Sequence, residues 1–156
     1  MKTINKIIIA GAVGTTFMTL YSMLRSKQDN QEYSEPVLIN ELIDNSKNLP
    51  AIKNEITHPA GYILHYVTGV GFVSLYWLLW KKVLLRPSGF RIVIVGGLSG
   101  LTGIAVWKIL FKQHNSHPYN NRFGYYKQLL TAHIIFSATA LVTYKALGTS
   151  KRYYLS

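Results

Sequence analysis

The chain has 156 residues, of which 49% are hydrophobic and 15% charged, with a formal net charge of +11 and no cysteine. This length and composition predict a single domain over residues 1–156. The lack of cysteine excludes disulfides, thiolate metal sites and cysteine nucleophiles. The basic residues stand at the ends of apolar segments, where they meet lipid headgroups, and a nucleic-acid-binding protein would gather them on one face instead.

Four apolar segments are long enough to cross a hydrocarbon core of roughly 30 Å at about 1.5 Å per residue. They cover residues 4–24, 61–80, 91–111 and 127–147, and none contains Asp or Glu. They lack the alternation of a membrane barrel, so their backbone must be helical. The first segment has no small-x-small cleavage site, so we expect it to be retained. The sequence predicts an all-α polytopic membrane protein with four transmembrane helices.

The loops predict an orientation. Residues 25–60 and 112–126 form two loops on one side, and the first of these loops holds all six acidic residues: Asp29, Glu32, Glu35, Glu41, Asp44 and Glu55. We expect these acids to lie in the solvated loop. The basic residues between Lys81 and Arg91 lie on the other side, which favours cytoplasmic termini and an external position for the two loops. We expect a bacterial inner-membrane protein.

Within the first external loop, Ser34-Glu35-Pro36 is typical of a helix start. Apolar residues from Val37 to Ile43 then fall largely on one side of a short helix. The pattern predicts an interfacial helix over the bundle. A docking surface for a protein partner is the alternative interpretation.

The segments also predict an internal repeat. The third segment aligns with the first, and the fourth with the second, so the chain reads as two similar helical hairpins with a pseudo-two-fold axis along the membrane normal. Small residues recur at matching places in the first and third helices, and they predict a close crossing of those two helices. These helix-packing residues are Ala10, Gly11, Gly14, Gly96, Gly97 and Gly100.

The repeat aligns two intramembrane histidines, His65 and His133. Ionisable side chains at this depth mark a functional site by default. Each is followed eleven residues later by a tyrosine, Tyr76 or Tyr144, about three turns along the same helix face. The small residues one turn away, Gly69 and Ser137, are expected to leave room for a flat ring.

Four roles for the pair stay open. Two imidazoles at matched depth could be axial ligands of a b-type haem. They could bind a transition metal with His114 or His117, since imidazole suits copper, zinc and iron. They could form a proton relay or a site that binds a quinone by hydrogen bonds, with tyrosines as partners. In the fourth role each ring bonds a neighbouring carbonyl or hydroxyl and stabilises helix packing.

No catalytic residue is predicted, because no serine, histidine and carboxylate combine in a recognisable nucleophile context. The leading functional hypothesis is a non-enzymatic subunit or scaffold that works with other membrane proteins or as a homo-oligomer. The alternatives are a haem- or metal-binding redox protein and a lipid- or quinone-binding protein. The last would have a cleft between the two hairpins, open on the external side.

Overall fold

A computed structural model of the protein describes residues 1–46, 48–113 and 121–149. The described residues form five helices, and α1, α3, α4 and α5 are each long and apolar enough to cross a membrane. The prediction of an all-α fold with four such helices is confirmed. In chain order the helices are α1 (Thr3–Asp29), α2 (Glu35–Asp44), α3 (Pro59–Leu85), α4 (Gly89–Gln113) and α5 (Arg122–Thr149).

The long helices extend beyond the apolar segments, because polar side chains continue the helical turns. In α1, Arg25 pairs with Asp29 one turn later at 2.7 Å, a spacing that supports the last turn. α3 starts one residue after His58, with Pro59 in its first turn. At Trp80, where the predicted segment ends, the backbone leaves helical geometry (φ −149°, ψ 59°) before the helix resumes and ends at Leu85.

α5 lies at the centre of the bundle. It packs against α1, α4 and α3, and α1 also packs along α3. The fully buried Leu129, Phe136 and Leu141 place the core on several sides of α5. By contrast α3 and α4 touch only slightly, although a short turn joins them. A gap therefore separates α3 from α4.

The predicted crossing of α1 with α4 is wrong. The small residues do bring helices together, but they face other partners: a Cβ on Gly11 would lie 2.7 Å from Val70 Cα on α3, and one on Gly96 would lie 2.7 Å from Ile134 Cα on α5. Gly14 and Gly100 also face α5, and Ala10 is fully buried. A Cβ on Gly97 would point into open space, with no atom of another helix within 4 Å.

The two hairpins, α1 with α3 and α4 with α5, pack unequally against each other. A two-fold relation would make α4 pack along α3 as α1 packs along α5. The contact between α1 and α5 is extensive, whereas that between α3 and α4 is slight. The repeat in the sequence is therefore not matched by equal packing of the hairpins.

α2 folds back onto the bundle and packs against α3. It begins directly after Ser34, as the sequence predicts, but the Ser34 side chain makes no capping bond. Asn40, fully buried, holds α2 in place: its Nδ2 donates to the carbonyls of Glu55 (2.6 Å) and His58 (2.9 Å), and its Oδ1 accepts from the N–H of Gly61 (2.8 Å). This amide ties α2 to the start of α3.

Large apolar side chains cover the outside of the four long helices. Leu79 is 81% exposed, Phe90 76% and Phe123 80%. In water such a surface would be an aggregation liability, and in a membrane it contacts lipid tails. The outer surface is that of a protein in contact with a lipid bilayer.

Candidate ligand-binding cavity

A cavity of about 270 Å³ lies inside the bundle, in the half nearest α2. The first half of α3 supplies His65, Gly69 and Phe72 to its wall, and the first half of α5 supplies His133 and Phe136. The second half of α4 contributes Trp107, among others, and the middle of α1 contributes Thr15 and Met18. The cavity is thus lined by all four long helices.

The cavity reaches the gap between α3 and α4. Its lining includes Leu64 and Thr68 on α3, and Gly103 and Val106 on α4. Leu64 is 52% exposed and Val106 49% exposed on the outer surface of the bundle. Side chains that both line a cavity and face outward mark its mouth, so this cavity opens sideways, toward lipid.

His133 is buried, with a defined hydrogen bond. Its Nδ1 lies 2.9 Å from the carbonyl oxygen of Leu129, one turn earlier in α5. A carbonyl only accepts, so Nδ1 carries the proton and donates. Nε2 is on the other side of the ring, facing α4, where a Cβ on Gly103 would lie 3.1 Å from it.

His65 is also buried, and it joins α3 to α1. Its Nε2 lies 3.1 Å from the hydroxyl oxygen of Thr19. That hydroxyl donates its own proton to the carbonyl of Thr15 at 2.8 Å. Since a hydroxyl has one proton, the Thr19 oxygen accepts from Nε2–H of His65.

The structure therefore brings His65 and His133 to one cavity, but not the tyrosines that follow them. Eleven residues correspond to about 16 Å of helix rise, which puts both tyrosines beyond the cavity. Tyr76 shares its hydroxyl with Ser99 (2.6 Å) and with Ser137 (3.3 Å). Tyr144 is buried near the opposite end, with Lys6 Nζ 5.9 Å from its ring centre.

The small residues beside the histidines do not leave an open slot. A Cβ on Gly69 would lie 1.9 Å from Oγ1 of Thr15 and 3.3 Å from Phe136, so α1 and α5 already fill that space. Ser137 is fully buried and bonds Tyr76. Phe72 packs edge-on against His133 with ring centres 5.7 Å apart. Aromatic and helix packing thus occupies the place expected for a flat macrocycle.

A buried carboxyl group completes the site, and the prediction that it lies in a solvated loop is wrong. Glu35, at the start of α2, is 2% exposed and lines the cavity instead of lying in solvent. Its Oε1 accepts from Ser22 Oγ (3.1 Å), which accepts from Gln128 Nε2 (2.6 Å). Burial raises the pKa of Glu35 to about 8, because the charged form is poorly solvated there.

The polar cluster around Glu35, Ser22 and Gln128 contains buried atoms that have no hydrogen-bond partner. Oε2 of Glu35, Oε1 of Gln128 and the hydroxyl oxygen of Tyr125 are enclosed and have no partner, and neither does Oγ1 of Thr15. Buried polar atoms without hydrogen-bond partners are energetically costly, and a bound molecule or water could satisfy them.

The spacing of residues in α2 was the available sequence signal for the burial of Glu35. Glu35 stands three residues before Leu38 and seven before Leu42, both of which are buried.

Within the part of the chain that the structure describes, no three His, Asp or Glu side chains come together as metal ligands. His114 and His117, the predicted additional ligands, lie outside the described residues. The described site offers two histidines and one carboxyl group around an apolar cavity. Such a site can hold a ligand by hydrogen bonds and apolar contact.

The fold and the cavity define an integral membrane protein of the helical-bundle class, with a lateral internal site. Comparison of the chain with protein-family models, with curated proteins and with solved structures gives no match in any of the three. Its function is therefore argued from the cavity alone.

Proposed function

We propose that this protein binds a membrane-soluble amphiphile, a lipid or an isoprenoid quinone species, in the cavity, and that it does so without chemical conversion. One observation carries the proposal: an apolar cavity with two buried histidines on its wall opens between α3 and α4 toward lipid. A ligand dissolved in the bilayer reaches such a site without entering water.

The cavity size favours a slender ligand. Its volume of about 270 Å³ exceeds the roughly 150 Å³ of an engineered cavity that holds benzene. It falls below the approximate range of 300–1,000 Å³ for sites that enclose drug-sized ligands. One ring or a short length of chain fits inside, and the rest of the ligand extends through the mouth into the bilayer. A haem macrocycle would need Phe72 and its neighbours to move.

We also propose how the protein sits in the membrane. α2 lies at the external surface, over the end of the bundle that holds the cavity. Both termini lie in the cytoplasm, with the basic turn between Lys81 and Arg91, and the membrane is the bacterial inner membrane. The excess of lysine and arginine at that turn supports this orientation.

The hypothesis of a non-enzymatic subunit or scaffold is compatible with ligand binding, because a bound lipid can join membrane proteins. A role with other membrane proteins, or as a homo-oligomer, stays a prediction. The described residues contain an entrance and a binding wall, and those features support ligand binding more directly than they support assembly.

Native mass spectrometry of the full chain, extracted gently from its own membrane, tests the proposal. We expect about one lipid-like molecule retained per wild-type chain. Val106→Trp places a large ring at the mouth and should abolish retention. Val93→Trp is the matched control, since Val93 is a similarly exposed residue of α4 that does not line the cavity. A wild-type protein without ligand, or equal retention in both variants, would contradict the proposal.

A further inference from the structure

The two histidines that line the cavity each carry one nitrogen that accepts hydrogen bonds. In His133 the proton is on Nδ1, which donates to the Leu129 carbonyl at 2.9 Å. Nε2 then carries a lone pair and accepts hydrogen bonds. It faces Gly103, which itself lines the cavity, so its partner must come from the cavity space.

His65 also has one acceptor nitrogen, and the hydrogen bond that fixes it is to a hydroxyl group. Its Nε2–H donates to Thr19, whose hydroxyl proton is already used on the Thr15 carbonyl. Nδ1 is therefore the acceptor nitrogen of this ring. No hydrogen bond from the described residues to Nδ1 accompanies the one at Nε2. Two residues that line the cavity, His65 on α3 and His133 on α5, thus each carry one acceptor nitrogen.

The remaining wall excludes an anionic headgroup. Among the described residues, no lysine or arginine lines the cavity. Among the described residues that line the cavity, the only carboxyl group is that of Glu35, whose Oε2 has no hydrogen-bond partner. A phosphate or carboxylate would enter an apolar space without a counter-charge, which is strongly unfavourable because the charge loses its solvation. A neutral headgroup avoids that cost.

We propose that the cavity selects a neutral amphiphile whose headgroup carries a hydroxyl, which donates to Nε2 of His133 or to Nδ1 of His65. This inference rests on the ligand-binding function proposed above and names its ligand class. Fatty alcohols, prenols, acylglycerols and hydroquinones belong to the class. Ethers, esters and quinones of the same shape, which only accept, do not satisfy the two nitrogens.

A matched pair of probes separates these possibilities. 1-Dodecanol and dodecyl methyl ether have the same tail, and only the alcohol can donate a hydrogen bond. Each is added at equal mole fraction to nanodiscs that contain the full chain, and bound probe is counted by native mass spectrometry. We expect the alcohol to bind about tenfold more tightly than the ether, the usual size of one hydrogen bond to a buried group.

The outcomes distinguish the two proposals. If both probes bind the wild type equally and Val106→Trp excludes both, the hydroxyl selection is wrong and the ligand site stands. If neither probe binds and no native lipid is retained, both proposals are wrong. Replacing both histidines with Phe should remove the preference while leaving apolar binding. A preference that survives this change would overturn the assignment to the histidines.

A measurement on the wild type does not depend on how the variants fold. Nitrogen-15 NMR of labelled histidine should show protonated Nδ1 in His133 and protonated Nε2 in His65. Addition of 1-dodecanol should shift an unprotonated nitrogen, and the ether should not. The opposite tautomers, with donors facing the cavity, would contradict the inference directly.

Discussion

Glu35 is buried inside the bundle, although it belongs to the polar external loop. In the sequence it is one of six acids in a polar stretch, next to a helix start. In the structure it is enclosed between α1 and α5 and bonded to Ser22. The local spacing places Glu35 on the same face of α2 as Leu38 and Leu42, but it does not show what that face packs against, because the burial comes from α2 folding back over residues that lie far along the chain. His65 and His133 were predictable as single residues, since apolar flanks place them inside the membrane.

The buried carboxyl group predicts that stability depends on pH. The pKa of Glu35 is raised by burial from 4.5 to about 8, so between these values the folded protein holds a proton that the unfolded chain has lost. The contribution of Glu35 to the free energy of unfolding is therefore greatest below about pH 4.5, falls as the pH rises toward 8, and then levels off. Burial also raises the pKa of Glu41, to about 7, and it contributes in the same direction.

Glu35→Gln keeps the shape of the side chain and removes its proton equilibrium. We expect the thermal unfolding temperature of this variant to fall less between pH 5 and pH 8 than that of the wild type. Glu41 contributes to the slope that remains. An identical pH dependence in wild type and Glu35→Gln would show that the carboxyl group is not enclosed.

At the scale of the helices, length and apolar content were enough to predict four spans, and packing partners were not predictable. The long helices are apolar on most sides, so no polar face indicates which side points inward. Gly96 and Gly97 illustrate this, because both look equally suited to a helix crossing. Only Gly96 meets a neighbour, at Ile134 of α5. The repeat of the two hairpins likewise stays a prediction.

This pair of adjacent glycines gives a controlled test of the packing. Gly96→Ala should lower the free energy of unfolding by about 1–3 kcal/mol, the usual cost of overpacking, because its Cβ would lie 2.7 Å from Ile134 Cα. Gly97→Ala should be neutral or stabilising by up to about 1 kcal/mol, because alanine favours the helix. Denaturant unfolding in micelles measures both. Equal effects would place α4 in a different rotation against α5.

In the whole molecule, some helix interfaces are tightly packed and one is open. α5 packs closely on α1 and α4, whereas α3 and α4 leave the gap that leads to the cavity. The sequence predicted a cleft between the hairpins as one alternative, and α3 and α4 do belong to different hairpins. It did not predict the unequal packing, because that depends on how all four helices share the central α5.

The absence of cysteine makes the orientation directly testable. Single cysteines at Lys53, near α2, and at Ser88, in the turn between α3 and α4, are both exposed positions. In intact cells we expect a membrane-impermeant thiol reagent to label Lys53→Cys and to label Ser88→Cys only after lysis. The reverse pattern would place α2 in the cytoplasm.

A density map of the protein in nanodiscs prepared from its own membrane would show whether a bilayer molecule occupies the cavity. We expect elongated density that begins beside His65 and His133, passes between Leu64 and Val106, and continues into the surrounding lipid. Close packing of α3 against α4, with side chains filling the space between the two histidines, would contradict ligand binding in the cavity.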